Sequence, residues 1–214
     1  MMKKLICFSL WGDNPKYTVG ALKNVELARS IYPDWVCRFY VGDDVSGEVV
    51  EKLGDFSNVE VVVRGCEGFD SMFWRFLPIS EECVMISRDC DSRLGVREKS
   101  AVDAWLDTGK LFHVMRDHRW HGVSILGGMF GCRGGVIKDV DKLIDRFLGS
   151  LPSTGYYQID QQFLARVLWP RVKDDVVVHD EIFDGCVWPT GRVGGEYVGA
   201  PFDELDRLLI PFVG

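Results

Sequence analysis

The chain has 214 residues and a mass of 24.3 kDa, room for one domain with a sizeable core. Lys and Arg number 25 against 32 Asp and Glu, a formal charge of −7, which argues against nucleic acid or an anionic membrane as the main partner, since both reward a basic surface. Phosphate ligands stay open, because they need only a few local cations and a metal. No apolar run approaches the ~20 residues of a membrane span, so no transmembrane segment is expected. The opening Met1-Met2-Lys3-Lys4-Leu5-Ile6-Cys7 imitates a signal peptide. Gly12-Asp13-Asn14-Pro15 follows where a cleavage site would lie, and the segment reads as a first strand.

In chain order, Leu5–Leu10, 35–41, 59–63 and Cys83–Ser87 are short, nearly continuous apolar runs, as expected of parallel strands covered on both faces. Asn14-Pro15 predicts a helix start, with Asn as cap and Pro at the first position. Ala21, Leu22, Val25, Ala28 and Tyr32 follow at helical spacing, and Pro33 stops the run. This is a βαβ unit, hence an α/β sheet. Further on, 140–149 carries a clean helical stripe, and Ile159, Phe163, Leu164, Val167 and Leu168 form another that is expected to end before Pro170. Between them and the fourth strand, 111–135 is dense in His, Arg and Gly. After Val176–Val178 comes a Gly- and Pro-rich tail (185–201) and a short amphipathic segment from Asp203 to Ile210. The expected architecture is a single α/β domain with a mostly parallel twisted sheet: a nucleotide-sugar-binding half over 1–95 and an acceptor-side, catalytic half over 96–214. The domain could belong to a longer polypeptide. Seven scattered cysteines with no Cys-x-x-Cys pair suit neither zinc nor a disulfide framework, and point to a reducing compartment, most simply a cytoplasm.

The most informative stretch is Cys83-Val84-Met85-Ile86-Ser87-Arg88-Asp89-Cys90-Asp91. An apolar strand runs into two carboxylates one residue apart, which extended backbone would place on one face. They would project from the carboxyl end of a parallel strand, where open α/β sheets bind ligands. Two hard oxygen ligands suit Mg²⁺ or Mn²⁺, with the remaining positions taken by water and a diphosphate. A polar turn is the plain alternative. Phosphatases of the haloacid dehalogenase type also use Asp-x-Asp, but on the first strand and with Thr where this chain has Arg93.

With these residues the chain resembles the GT-A-fold glycosyltransferases, and among them the chlorovirus-encoded enzymes that glycosylate the major capsid protein. Three more segments carry the likeness. Ile125-Leu126-Gly127-Gly128-Met129-Phe130-Gly131 is similar to the Gly-rich segment bordering donor sugar and acceptor. Tyr157-Gln158-Ile159-Asp160-Gln161 resembles an Asp-Gln helix start, and Val178-His179-Asp180 resembles the late His that ligates metal in retaining members. The usual His-x-x-Gly-x-Lys-Pro-Trp pattern is not matched after His179, where Asp180 to Gly185 and then Val187-Trp188-Pro189 stand. The resemblance implies a hexose or deoxyhexose moved from a UDP-sugar to a glycan or glycoprotein hydroxyl, with Mn²⁺ or Mg²⁺ on Asp89, Asp91 and His179. It places Ser9, Leu10 and Trp11 at the base and ribose, and Arg88, Asp89, Cys90 and Asp91 at the diphosphate. Tyr17 is a candidate for stacking on the nucleotide, Asp43 for accepting from uracil or ribose, or else for capping a helix. Arg75 faces the nucleotide or snorkels from a buried helix. Gly127 and Gly128 let backbone approach the sugar, or form a plain turn. Arg116, Asp117 and His118 suggest sugar-hydroxyl contacts. Arg192 is a lid over the diphosphate or a solvated loop charge. Asp160, beside Gln161, is the candidate catalytic carboxylate, as base in an inverting reaction or as a stabiliser of the oxocarbenium-like state in a retaining one.

Other classes predict other residues. A glycoside hydrolase needs acids on opposite sides of a sugar, and Asp89 and Asp91 are too close in sequence. A nucleotidyltransferase usually carries a basic, Gly-rich loop after the first strand, which Trp11-Gly12-Asp13-Asn14 is not. A non-catalytic nucleotide-sugar- or glycan-binding module stays open.

Overall fold

Residues 2–183 and 187–212 are described by the computed structural model of the chain; Gly185 and Cys186 of the expected tail, and Asp184 before it, lie outside the described residues. Seven strands form one sheet: β1 (Lys3–Leu10), β2 (Val36–Gly42), β3 (Val59–Arg64), β4 (Cys83–Ser87), β5 (Phe112–Arg116), β6 (Phe130–Arg133) and β7 (Val176–Asp180). Their order is β3-β2-β1-β4-β6-β5-β7. Every pairing is parallel except those of β6, which runs antiparallel to both β4 and β5. The expected mostly parallel α/β domain is what forms.

Alternation along the strands divides the core into two layers. Leu5, Cys7, Met85, Phe112, Val114 and Phe130 face one side. They pack on a 3₁₀ segment (Gly68–Ser80), helix α4 (Val140–Gly149) and the run α5 (Ile159–Phe163), a π-helical turn (Leu164–Leu168) and α6 (Trp169–Val172). Ile6, Phe8, Leu10, Phe39, Val84 and Ile86 face the other, against α1 (Pro15–Ile31) and α3 (Val96–Thr108). Phe8 and Phe39 stack there at 4.6 Å. A further short helix, α2 (Gly47–Gly54), precedes β3.

Helix α1 starts as its sequence predicts: Asn14 Oδ1 accepts the Lys16 N–H at 3.0 Å and Pro15 takes the first position. Pro170 does not end the α5 run. It sits in the first turn of α6, where its missing N–H is harmless, and the π-helical turn absorbs the change of phase. The His- and Gly-rich 111–135 stretch holds β5 and β6. The amphipathic 203–210 segment is a turn closed by the Phe202–Leu208 bridge, with Asp203 Oδ1 accepting the Leu205 and Arg207 N–H groups.

Candidate active site at the carboxyl ends of β1 and β4

Parallel pairing of β1 with β4 delivers the loops after both strands to the same edge of the sheet. There they open into a cavity of about 560 Å³. Ser9, Leu10, Trp11, Tyr17, Arg75, Asp89, Cys90, Asp91, Gly127, Gly128, Asp160 and Gln161 all line it. These residues come from five separate stretches of chain, which the fold brings together.

The Asp-Cys-Asp loop is held from below by α1. Buried Asn24 donates from Nδ2 to the carbonyls of Ser92 (2.8 Å) and Cys90 (3.3 Å), and its Oδ1 accepts the Leu94 N–H at 3.0 Å. A side chain at Gly20 would collide with the Cys90 carbonyl, so helix and loop meet backbone to backbone. The Asp91 carbonyl accepts from Phe202 N–H at 2.8 Å. Cys90 turns inward and is buried, and burial pushes its thiol well above the ordinary range. It is a packing residue whose Sγ meets the Ser9 carbonyl at 3.4 Å.

Arg75 organises the charge. It stands on the 3₁₀ segment, its N–H donating to Ser9 Oγ at 3.1 Å. Its guanidinium pairs through Nη1 with Asp89 and through Nη2 with Asp160 Oδ2, the latter at 2.9 Å. Asp160 Oδ1 accepts from the Gln161 N–H at 2.9 Å, so both oxygens are engaged. Burial pushes the Asp160 carboxyl up from its ordinary range, and Arg75 opposes that shift. Gln161 Oε1 accepts the Gly127 N–H at 2.7 Å, and Ser87 Oγ donates to the Gly127 carbonyl at 2.6 Å. The Gly127-Gly128 turn therefore lies flat on the charges: a Cβ at Gly128 would collide with the Asp89 carboxylate. Asp91 Oδ2 pairs with Lys16 Nζ at 2.6 Å.

Four expected site residues stand elsewhere. Arg88 is sealed on the opposite face of the sheet, donating from Nε to Glu98 Oε1 at 3.0 Å, with Tyr32 OH on the same oxygen at 2.9 Å. Consecutive residues of a strand end point to opposite sides, so the arginine beside Asp89 cannot share its cleft. Asp43 caps a loop, Oδ1 accepting the Cys66 N–H at 2.8 Å. Arg192 does not lie over the cleft: its Nη2 meets Asp117 Oδ1 at 2.5 Å and its guanidinium stacks on Phe212. Fully buried Asp117 also takes a two-pronged contact from Arg97 at 3.0 Å and the Val198 N–H at 3.0 Å. His179 places Nδ1 2.7 Å from Nε2 of buried His113, away from the residues lining the cleft. It is not brought together with Asp89 and Asp91. Among the described residues, no group of three His, Cys, Asp or Glu side chains is close enough to hold a metal ion.

Three more residues line the cleft: Tyr157 of the Asp-Gln segment, His121 of the His-rich stretch, and Phe69, which had no distinct signal in the sequence. Phe69 and Tyr157 line the mouth, Phe69 edge-on to both Trp11 and Tyr157. His121 also lines the cleft. Its Nδ1 accepts the Asp117 N–H at 3.1 Å, so the neutral ring carries its proton on Nε2 and offers a donor. Burial and His118 push its pKa down to about 4.

No family model and no curated protein matches the sequence. Among solved structures, a 4-diphosphocytidyl-2C-methyl-D-erythritol synthase from Anaerococcus prevotii DSM 20548 superposes with a TM-score of 0.51 at 7% identity, over 89% of this chain and 92% of its own. The galactosyltransferase LgtC, in complex with donor and acceptor sugar analogues, gives 0.49 at 14% identity over 81% and 73%. A glycosyltransferase involved in glycosylation of the major capsid of PBCV-1 gives 0.46 at 16% identity over 82% of each chain. The likeness to the synthase, over most of both chains, is one of fold alone.

Proposed function

We propose that the chain is a glycosyltransferase that moves a hexose or deoxyhexose from a UDP-sugar to a hydroxyl of a glycan or glycoprotein. The observation that supports this most is the cleft itself. A cavity of about 560 Å³ at the carboxyl ends of β1 and β4 gathers Asp89, Asp91 and Asp160 under a glycine turn and behind an aromatic mouth. That volume suits a ligand of nucleotide-sugar size.

Asp89 and Asp91 offer two oxygen ligands of the kind Mg²⁺ and Mn²⁺ take, and no third protein ligand joins them among the described residues. The donor set fits a cation that shares its coordination with a diphosphate and water. When bound there, a divalent cation would offset the charge gathering on the departing UDP.

The chain's own residues account for the remaining roles. Trp11 and Tyr17, which line the β1 side of the cleft, would meet the base and ribose. The glycine turn, fixed by Gln161 and Ser87, would bring backbone against the sugar. Asp160 has both oxygens occupied, by Arg75 and by the Gln161 N–H. Held in this way, it would counter positive charge developing on the sugar, or take the acceptor's proton with its remaining lone pairs. The His121 Nε2–H would donate to a ligand oxygen, and the cleft walls would keep water from the donor.

The test is thermal unfolding with UDP, with Mn²⁺ and with both, followed by a screen of UDP-sugars for turnover. A ligand at 100 times its Kd adds about 2.7 kcal/mol, a rise of several degrees. A shift with UDP plus Mn²⁺ that Asp91→Ala removes supports the site. No shift under any condition overturns it, and binding without turnover of any donor would leave a nucleotide-sugar-binding module.

A further inference from the structure

The two carboxylates of the Asp-Cys-Asp loop are neutralised in different ways. Asp89 meets Arg75, a buried guanidinium fixed by its backbone bond to Ser9 and by its second partner Asp160. Asp91 meets Lys16, whose ammonium sits at the end of a long stem on the first turn of α1, about a quarter exposed. Guanidinium and ammonium are not equivalent here. The first is a rigid fork held on two sides, and the second a point charge on a flexible, partly exposed stem, with Tyr17 as its other neighbour.

We infer that Lys16 is a displaceable counter-ion for Asp91, which makes divalent-cation binding depend on nucleotide. The inference rests on the proposed UDP-sugar reading of the cleft. Three further observations support it. Among the described residues Asp89, Asp91 and Asp160 form ion pairs with Arg75 and Lys16, three carboxylates against two cations, and Asp13 at the cleft wall adds a further negative charge. A divalent cation arriving alone must take Asp91 from an ammonium 2.6 Å away. It also finds no third protein ligand among the described residues. A diphosphate changes both conditions, because it supplies the missing oxygens and offers the departing ammonium a new anion. Lys16 stands beside the cleft: its Nζ pairs with Asp91 and lies 5.0 Å from the ring centre of Tyr17, both of which line it. Lys16 thus passes from Asp91 to the phosphate oxygens as the metal enters.

Mn²⁺ binding, followed by the loss of the free-ion paramagnetic resonance signal, tests this directly. Wild type, Lys16→Met and Lys16→Arg are compared with and without UDP. Methionine keeps most of the stem and removes the charge, at a side chain whose tip is not part of the core. The wild-type protein should hold Mn²⁺ weakly alone and more tightly with UDP, and a partly exposed ion pair is worth up to about fivefold of that difference. Lys16→Met should bind Mn²⁺ alone about two- to fivefold more tightly than wild type, narrowing the effect of UDP, and Lys16→Arg should keep the wild-type pattern. If UDP tightens Mn²⁺ in wild type while Lys16→Met leaves nucleotide-free affinity unchanged, the role of Lys16 is overturned and the cleft reading stands. If no variant binds Mn²⁺ even with UDP, both fall together.

Discussion

Arg88 and Asp89 are neighbours in sequence and opposites in situation. Arg88 lies in a sealed cluster with Glu98 and Tyr32, its side chain 1% exposed. Asp89 lies in the open cleft with its side chain 43% exposed, although it too pairs with an arginine. Both clusters combine a guanidinium, carboxylate and neighbouring side chains on one strand end. In the sealed one every group serves the fold, because a buried charge without its partner is costly. In the cleft the carboxylates outnumber the fixed arginine, and the imbalance is what a cation and a diphosphate would correct. The difference teaches that charge pairing alone does not mark a site; an unbalanced charge facing a cavity does.

Glu98→Ala tests the sealed side and has the largest expected effect. It removes the acceptor for both Arg88 Nε and Tyr32 OH, and leaves a guanidinium buried without its counter-ion. The expected loss is about 3–5 kcal/mol in urea or thermal unfolding. The protein that stays folded at low temperature should still respond to UDP plus Mn²⁺. A loss below about 1 kcal/mol would show that the cluster is not sealed.

Acidification should act through the imidazoles. His121 has its pKa pushed down to about 4, and burial pushes His113 well below and His179 below the ordinary 6.5. A base with a lowered folded pKa binds its proton more readily in the unfolded chain. Stability is therefore whole above pH 6.5 and falls as the pH drops through the window between 6.5 and the folded value. For His121 that window closes near pH 4, with a full contribution of about 3 kcal/mol. His121→Asn, measured from pH 7 to pH 4, should flatten that part of the profile; an unchanged slope would assign it to the other imidazoles, His113, His118 and His179.

Much of the first half was legible from sequence because its signals are local. The strand Cys83–Ser87 has the same bounds in both descriptions, and the Asn14-Pro15 start of α1 rests on a cap and a fixed φ. Asp89 and Asp91 were visible because an apolar strand running into carboxylates is itself unusual. Arg88 was misplaced because adjacency in sequence is not adjacency in space at a strand end. His179 was misplaced for another reason: its partner His113 lies 66 residues away, on the neighbouring strand β5, and no spacing rule links them. The roles of Asn24 and Gly20 depend on contacts from other elements, so sequence could offer residue types but no function. The 3₁₀ segment that carries Arg75 escaped prediction because its thirteen residues follow neither the 3.6 nor the 2.0 period.

Gly128→Ala moves the comparison into the cleft. The added methyl collides with the Asp89 carboxylate, which must rotate away or lift the turn from Gln161. The cost to stability should be about 1–3 kcal/mol, smaller than at Glu98. The thermal shift with UDP plus Mn²⁺ should disappear. Its survival would mean that the turn does not border the ligand.

Asp89→Asn has the smallest expected effect on stability and sharpens the contrast most. Arg75 keeps Asp160 at 2.9 Å, so the guanidinium is not left alone. Asparagine matches the shape under Gly128, and the side chain it replaces is part exposed. The unfolding free energy should change by less than about 1 kcal/mol, and it could rise, since removing one of three clustered carboxylates relieves like-charge repulsion. Nucleotide-dependent Mn²⁺ binding should nevertheless be lost. A residue whose removal costs the fold almost nothing and the ligand nearly everything belongs to the cleft; one whose removal does the reverse, as at Glu98, belongs to the scaffold. A large loss of stability in Asp89→Asn with ligand binding intact would invert that division, and make the Arg75 pairing a structural clasp.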